Sequence, residues 1–240
     1  MSAKALLRSI ARACFYTANT IRYPIEMIRL RAALEQIGEI ETLLDAGAGG
    51  GYYAANVYAP RCRKLIIVEP FASNFAIARQ TLAGFADRTT FIESTIADMP
   101  VADASVDCLT CTQVLEHIED DNAAVAEFAR VIKPGGHALI TVPTPPEPWP
   151  MDGHVREGYT EQQLTDLFAR HGMERLRTDW FMTRQTLRLA GIVRKCGGYL
   201  PRLFPLRELH TTLEQRRDNG PYCLLGLFRR ESDPRTPSAL

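Results

Sequence analysis

Residues 43–53 read LLDAGAGGGYY: an apolar pair, Asp45, then four glycines within five positions, closed by two tyrosines. A loop so dense in glycine lets main-chain N–H groups approach a partner with no Cβ in the way, and it belongs where a strand hands over to a helix. The flanking sequence agrees. Apolar, β-branched runs near 42–46, 64–69, 89–93, 106–112 and 136–142 alternate with helical patterns near 51–59, 72–84, 119–130 and 160–170, the order expected of a parallel sheet with helices on both faces. Two more strands are predicted near 173–181 and 222–229. Pro134, Gly135 and Gly136 break the chain before the strand HALITV, and PTPPEPWP, residues 143–150, cannot lie inside a sheet because proline lacks the ladder donor.

With 240 residues, 46% of them apolar, the chain is long enough for one packed core with an elaboration. Its formal charge of zero hides a division. Residues 1–34 carry Lys4, Arg8, Arg12, Arg22, Arg29 and Arg31 against Glu26, and residues 182–217 carry Arg184, Arg188, Arg194, Lys195, Arg202, Arg207, Arg216 and Arg217 against Glu208 and Glu214. The remainder keeps 14 basic and 25 acidic residues, a net of −11. The expected organisation is a helical segment over 1–37 and a main domain over 38–240, with 182–217 inserted as a basic lid.

Six cysteines without a secreted-type framework point to a reducing, cytoplasmic compartment. Cys108 and Cys111 form a C-x-x-C within VDCLTCT, but residues three apart on a strand face opposite sides, so packing explains them better than redox or metal chemistry. No stretch approaches the ~20 apolar residues of a membrane span.

Which ligand suits the loop follows by elimination. No Lys follows the glycines, as a P-loop requires, and counting G-x-G-x-x-G from Gly47 and Gly49 puts Tyr52 where the last glycine belongs. D-x-G-x-G-x-G does fit, with Asp45, Gly47, Gly49 and Gly51. A carboxylate at the mouth repels a pyrophosphate but suits a ligand that carries an ammonium and a sulfonium and no phosphate, which describes S-adenosylmethionine. Glu69 ends the strand LIIVE eighteen residues after Gly51, placed to accept from both ribose hydroxyls, as acids in NAD sites also do.

The run from LLDAGAGGG through VEP, FIESTIADMPVADASVDCLTCTQVLEHIEDD and VIKPGGHALITVPTP resembles the class I S-adenosylmethionine-dependent methyltransferases, in the small-molecule branch that includes quinone-biosynthesis enzymes. The likeness covers about residues 38–181, and PYCLLGLF also fits. It implies a Rossmann-like, seven-stranded, mostly parallel α/β sheet whose antiparallel last strand inserts beside the sixth, with N-terminal helices and a helical insertion before that strand. It implies that Asp45, Gly47 and Gly49 line the methionine end of the cofactor, that Glu69 meets the ribose, that Pro70 and Phe71 flank the adenine, and that Gln113 lies against the methionine part. Relatives usually carry an Asp for the adenine amino group where this chain has Thr95, with Ile96 against the ring; Thr accepts one hydrogen bond, and Asp98 is the alternative acceptor. Some quinone O-methyltransferases hold a metal through E-x-x-E-H here. Gln113 replaces the first of those carboxylates, which leaves Glu116 and His117 as a poor set for a hard divalent ion, and no metal is expected.

The stretch MDGHVREGYT precedes a helix whose start carries a capping box, Thr160 with Gln163. In the family this segment overhangs the pocket, which makes His154 the candidate acceptor-facing and catalytic residue, with a pKa range suited to deprotonating a hydroxyl. The structural alternative is that His154 and Arg156 tie the loop to Asp152 or Glu157. Transfer from a sulfonium depends on in-line geometry and a dry pocket more than on a strong base.

The expected function is methyl transfer to an oxygen, nitrogen or carbon of a small-molecule or lipid-linked acceptor. The alternative is a non-catalytic relative serving as an interaction or assembly factor, which the intact loop and Glu69 disfavour. Leu6, Leu7, Ile10 and Cys14 would share a helical face beside Arg8 and Arg12, and RQTLRLAGIVRKCGGYLPRLFPLR mixes leucines with arginines. Either segment could lie on an anionic membrane surface, or the two could pack together as a lid. No nucleic acid partner is expected.

Overall fold

The computed structural model describes residues 15–16, 18–147, 153–195, 200–201 and 220–232. Among them, seven strands share one sheet: β1 Ile40–Ala46, β2 Cys62–Val68, β3 Thr89–Ile92, β4 Val106–Thr112, β5 Ile132–Pro143, β6 Met173–Thr183 and β7 Pro221–Arg230. Their order across the sheet is β3-β2-β1-β4-β5-β7-β6. The last strand is antiparallel and lies between β5 and β6, as expected. Leu43, Leu44 and Ala46 of β1 and Cys108, Leu109 and Cys111 of β4 are all fully buried, which is why these central strands read as near-continuous apolar runs instead of alternating.

The helices are α1 Ala18–Leu34, α2 Ala72–Thr81, α3 Asp121–Val131, α4 Glu161–Ala169 and α5 Arg184–Lys195. Asp120 caps α3 by accepting from the N–H of Ala123 at 2.9 Å, and Thr160 and Gln163 form the reciprocal capping box of α4. Two predicted helices differ in kind. The turn after the glycine loop contains a π-helical stretch, Ala54–Tyr58, with the N–H of Ala59 bonded to the carbonyl of Ala54, followed by a 3-10 turn, Ala59–Arg61. The wide turn carries Tyr58 inward, where its hydroxyl lies 2.7 Å from Thr112 Oγ1 at the end of β4. The second helix stops at Thr81 and continues as the 3-10 turn Ala83–Arg88.

Arg29–Asp179 and the described residues from Leu224 onward form one compact unit. Its core packs Leu44, Val68, Leu109, Phe128, Ile140 and Leu164 together, with Phe168 and Phe228 stacked at 4.1 Å between ring centroids. The described residues up to Ile28, with those of Trp180–Cys223, form a second unit. It contains α5, capped where Thr183 Oγ1 accepts from the N–H of Thr186 at 3.1 Å, and a short antiparallel ladder of Phe15–Tyr16 with Leu200–Pro201. The expected face of Leu6, Leu7, Ile10, Cys14, Arg8 and Arg12 lies outside the described residues, as do Arg202, Arg207, Arg216 and Arg217 of the insertion. Among the described residues, no helix is long and apolar enough to cross a membrane.

Candidate functional site

The connections of the sheet reverse direction between β1 and β4, and Asp45 pairs across that line with Thr110 on one side and Ile67 on the other. Crevices outside the carboxyl ends of strands at such a reversal are where open α/β sheets bind ligands. Asp45 is 3% exposed and accepts from Thr110 Oγ1 at 2.9 Å. Burial pushes its carboxyl up to about 7, partly offset by the Thr110 hydroxyl, and the nearby Glu69 charge adds to the rise.

The loop that follows is held in left-handed turns at Gly47 (φ 77°), Gly49 (φ 54°) and Gly51 (φ 74°), a region that residues with a Cβ enter at a cost. Each glycine answers to a different neighbour. A Cβ on Gly47 would stand 2.7 Å from a Val114 methyl, and one on Gly51 would stand 3.2 Å from the Ala78 backbone in α2. A Cβ on Gly49 would meet no protein atom within 4 Å. Gly47 and Gly51 therefore serve close packing, whereas the open side of the loop is at Gly49.

Glu69, just past β2 and 3% exposed, joins the loop to α2. Its Oε2 accepts from the N–H of Gly49 at 2.8 Å, and its Oε1 accepts from the N–H of Phe71 and from Asn74 Nδ2, both at 3.2 Å. A carboxylate offers about four lone-pair directions, so these three donors leave room for roughly one more without rearrangement. Pro70 is exposed and Phe71 is 66% exposed at the start of α2. The end of β3 runs alongside, with the N–H of Glu69 bonded to the carbonyl of Ile92 at 3.2 Å. Thr95 follows, exposed and heading the 3-10 turn Ile96–Asp98; Ile96 is buried, and Asp98 is exposed in the same turn.

Gln113 leaves β4 with φ 56°, uncommon for a residue with a Cβ. Its N–H donates to the carbonyl of Thr141 at 2.8 Å and its Nε2 to Thr141 Oγ1 at 3.3 Å, so it is tied to β5. Past it, the 3-10 turn Leu115–His117 meets the loop that contains His154. The structure brings Glu116, His117 and His154 together, with one ligand-type atom from each within 4.8 Å of the others. This convergence is invisible in sequence spacing.

His154 and Arg156 do anchor their loop, and among the described residues their partners do not include Glu157, while Asp152 lies outside the described residues. The ring Nδ1 of His154 pairs with Glu147, seven residues earlier. Arg156 reaches back to the start of α3, donating to Asp121 Oδ2 at 2.7 Å and to the carbonyl of Glu119 at 2.8 Å. The N–H of Val155 donates to the carbonyl of Glu116 at 3.0 Å. Thr110, Asn74, Val114 and Glu147 are the site residues that sequence reasoning missed. Only Glu147 had a visible signal, as the one acid in a proline run shortly before the histidine.

Comparison with known proteins agrees with the fold. A family model described as a methyltransferase domain matches residues 44–140. A Mycolicibacterium smegmatis protein named a "probable S-adenosylmethionine-dependent methyltransferase" is 32% identical over 55% of this chain and 51% of its own length. A ubiquinone biosynthesis O-methyltransferase of Vibrio parahaemolyticus is 29% identical over 50% of this chain and 52% of its own length. The chain thus spans about half the length of these curated relatives. Among solved structures, the N-methyltransferase NodS from Bradyrhizobium japonicum, in complex with S-adenosyl-L-homocysteine, superposes with a TM-score of 0.60 at 16% identity, covering 85% of each chain.

Proposed function

We propose that this member of the class I S-adenosylmethionine-dependent methyltransferases binds S-adenosylmethionine at the carboxyl ends of β1, β2 and β4 and passes its methyl group to a small-molecule or lipid-linked acceptor. The observation that carries the reading is the pair of buried carboxylates, Asp45 and Glu69, on either side of a left-handed glycine loop. Two acids in so little solvent repel a diphosphate and favour a cationic ligand.

In this reading Asp45, Gly47, Gly49, Gly51 and Gln113 surround the methionine part. Glu69 takes the ribose, exchanging or sharing one of its three present donors. Pro70, Phe71, Thr95 and Ile96 enclose the adenine, with Phe71 offering an exposed ring face. A lone pair on the acceptor attacks the methyl carbon in line with the carbon–sulfur bond, that bond's electron pair stays on sulfur, and S-adenosylhomocysteine leaves. The protein's share is orientation and exclusion of water.

His154 is the residue assigned to the acceptor side. A carboxylate can only accept, so Glu147 keeps the proton on Nδ1 and leaves Nε2 of the neutral ring with its lone pair. The likeness to ubiquinone-biosynthesis O-methyltransferases, over about half their length, supports trying hydroxyl-bearing quinone precursors first. The basic segments 1–34 and 182–217 support a place at an anionic membrane face, where a lipid-linked acceptor would be found. The test is to incubate the full chain with cell extract and methyl-labelled cofactor and identify the labelled product. The reading expects a labelled small molecule or lipid, and no labelled product from any extract counts against it.

A further inference from the structure

We infer that Glu127 and Arg130 of α3 are positioning residues for nucleobase recognition: they hold the chain after β3 in the conformation that selects adenine over other purines. The inference rests on the reading above, in which Thr95 and Ile96 enclose that base. Both residues act on Met99, which follows the 3-10 turn Ile96–Asp98. Glu127 Oε1 accepts from the N–H of Met99 at 2.9 Å, and Arg130 Nη2 donates to the carbonyl of Met99 at 2.9 Å. Arg130 Nη1 donates to the carbonyl of Val101 at 2.7 Å. The pair is itself locked, with Arg130 Nε 2.7 Å from Glu127 Oε2 and Nη2 2.6 Å from Oε1, a two-point match of guanidinium and carboxylate. Its hydrogen bonds from Arg130 hold the Glu127 carboxyl below the usual range, so the acceptor for Met99 stays ionised.

The mount is firm. Ala124, Val125, Phe128 and Val131 of the same helix are fully buried in the core. On the other flank of the turn, Ser94 Oγ donates to the carbonyl of Asp98 at 2.6 Å. Ile96 and Met99 are buried beneath, while Thr95 and Asp98 stay exposed. The turn is therefore fixed from both flanks and from the core, with its outer side left open.

Thr95 makes that fixing matter. A hydroxyl donates as readily as it accepts, so Thr95 alone takes an amino group or a carbonyl oxygen on the base equally well. A main-chain N–H only donates. It suits the N1 acceptor of adenine and leaves the N1–H of hypoxanthine unmatched, and a polar group left unmatched is what makes a site reject an analogue. Discrimination in this chain then falls on where the main chain of the turn sits, and the contacts to Met99 and Val101 set that position.

The experiment titrates the full chain with S-adenosylhomocysteine and with S-inosylhomocysteine, in which a carbonyl oxygen replaces the exocyclic amino group of the base. The parent should favour the adenine ligand about tenfold, the worth of one well-formed hydrogen bond. Glu127→Gln and Arg130→Lys should each bring the two affinities to within about threefold of one another, and amide hydrogen exchange at Met99 should quicken in both without any ligand. Asp103 also meets Arg130 but is exposed, and Asp103→Ala should keep the parent's ratio. Glu69→Ala, aimed at the ribose that both ligands share, should weaken the two alike. Thermal melts accompany every variant, because a merely structural role would lower both affinities in step and leave the ratio alone. If Arg130→Lys does not fold, Glu127→Gln, which keeps the guanidinium, decides. A parent without preference for adenine, or folded Glu127→Gln and Arg130→Lys variants with the parent's ratio, overturns the inference. A parent that binds neither ligand removes the proposed function and the adenine role with it, while quickened exchange at Met99 would still show the pair holding the turn.

Discussion

The main-chain N–H of Gly49 donates to Oε2 of Glu69 at 2.8 Å, so the acid that follows β2 also shapes the loop that follows β1. Glu69→Ala should therefore have two effects. S-adenosylmethionine affinity should fall by roughly 1.5–3 kcal/mol, the range for a hydrogen bond to a charged group, or about ten- to a hundredfold in Kd. The melting temperature should fall as well, because the N–H groups of Gly49 and Phe71 lose their acceptor. Calorimetry with thermal melts checks both; an unchanged Kd would remove Glu69 from the binding site.

Asp45 makes stability and cofactor affinity depend on pH in opposite directions. Its carboxyl is raised from 3.8 to about 7 in the folded chain, so between those values the folded state holds a proton that the unfolded state has released. Stability is then greatest below pH 4, falls as pH rises to about 7, and is level above it. Asp45→Asn keeps the size and a partner for Thr110 but cannot ionise. It should be more stable than the parent at pH 8, by at most about 4 kcal/mol, with the difference vanishing near pH 4. S-adenosylmethionine affinity of the parent should rise toward pH 7, as Asp45 ionises to meet an ammonium, and that rise should be absent in the variant. Urea unfolding and calorimetry across pH 4–8 measure these changes; parallel pH profiles for the two proteins would contradict them.

The three left-handed glycines should respond differently to substitution. Gly47→Ala and Gly51→Ala push a Cβ into Val114 and into the backbone of α2, so both should lose stability first. Gly49→Leu meets no protein atom within 4 Å of its Cβ and should fold with only the ~1–2 kcal/mol strain of its backbone conformation, yet lose cofactor binding. Melting curves beside binding isotherms separate these outcomes.

Much of this site is legible in the sequence, for identifiable reasons. The Asp45-to-Gly51 loop and Glu69 could be placed because the continuous apolar runs that lead into Asp45 and Glu69 fix where each strand ends, and the capping box of Thr160 and Gln163 is a local motif. What could not be read depends on chain segments meeting. Thr110 lies 65 residues from Asp45, and the His117 to His154 convergence depends on how the loop before α4 returns to the turn after β4. The π-helical stretch over Ala54–Tyr58 was missed because helical periodicity does not distinguish a five-residue turn over so short a run.

Arg156 anchors the loop that carries His154 through Asp121 and the Glu119 carbonyl, and among the described residues none of its partners lies in the glycine loop. Arg156→Ala should raise the KM for acceptor while leaving the Kd for S-adenosylmethionine unchanged. A matching loss in both would mean that the loop supports the fold as a whole.

The basic segments predict salt-sensitive membrane association. The full chain should cosediment with anionic liposomes at low salt, release at high salt and ignore neutral liposomes, since each Lys or Arg near such a surface contributes ~1 kcal/mol. Removal of residues 1–34 should weaken the effect. A protein that stays in the supernatant with anionic vesicles at low salt, unchanged by that truncation, would direct the search to a soluble acceptor.

Calorimetric titration of the purified full chain with S-adenosylmethionine, S-adenosylhomocysteine, NAD and ATP tests the central claim most directly. Two buried acids flanking a left-handed glycine loop predict micromolar binding of the sulfonium cofactor and its demethylated product, with no comparable binding of either phosphate-bearing ligand. Tighter binding of NAD than of S-adenosylmethionine would contradict it.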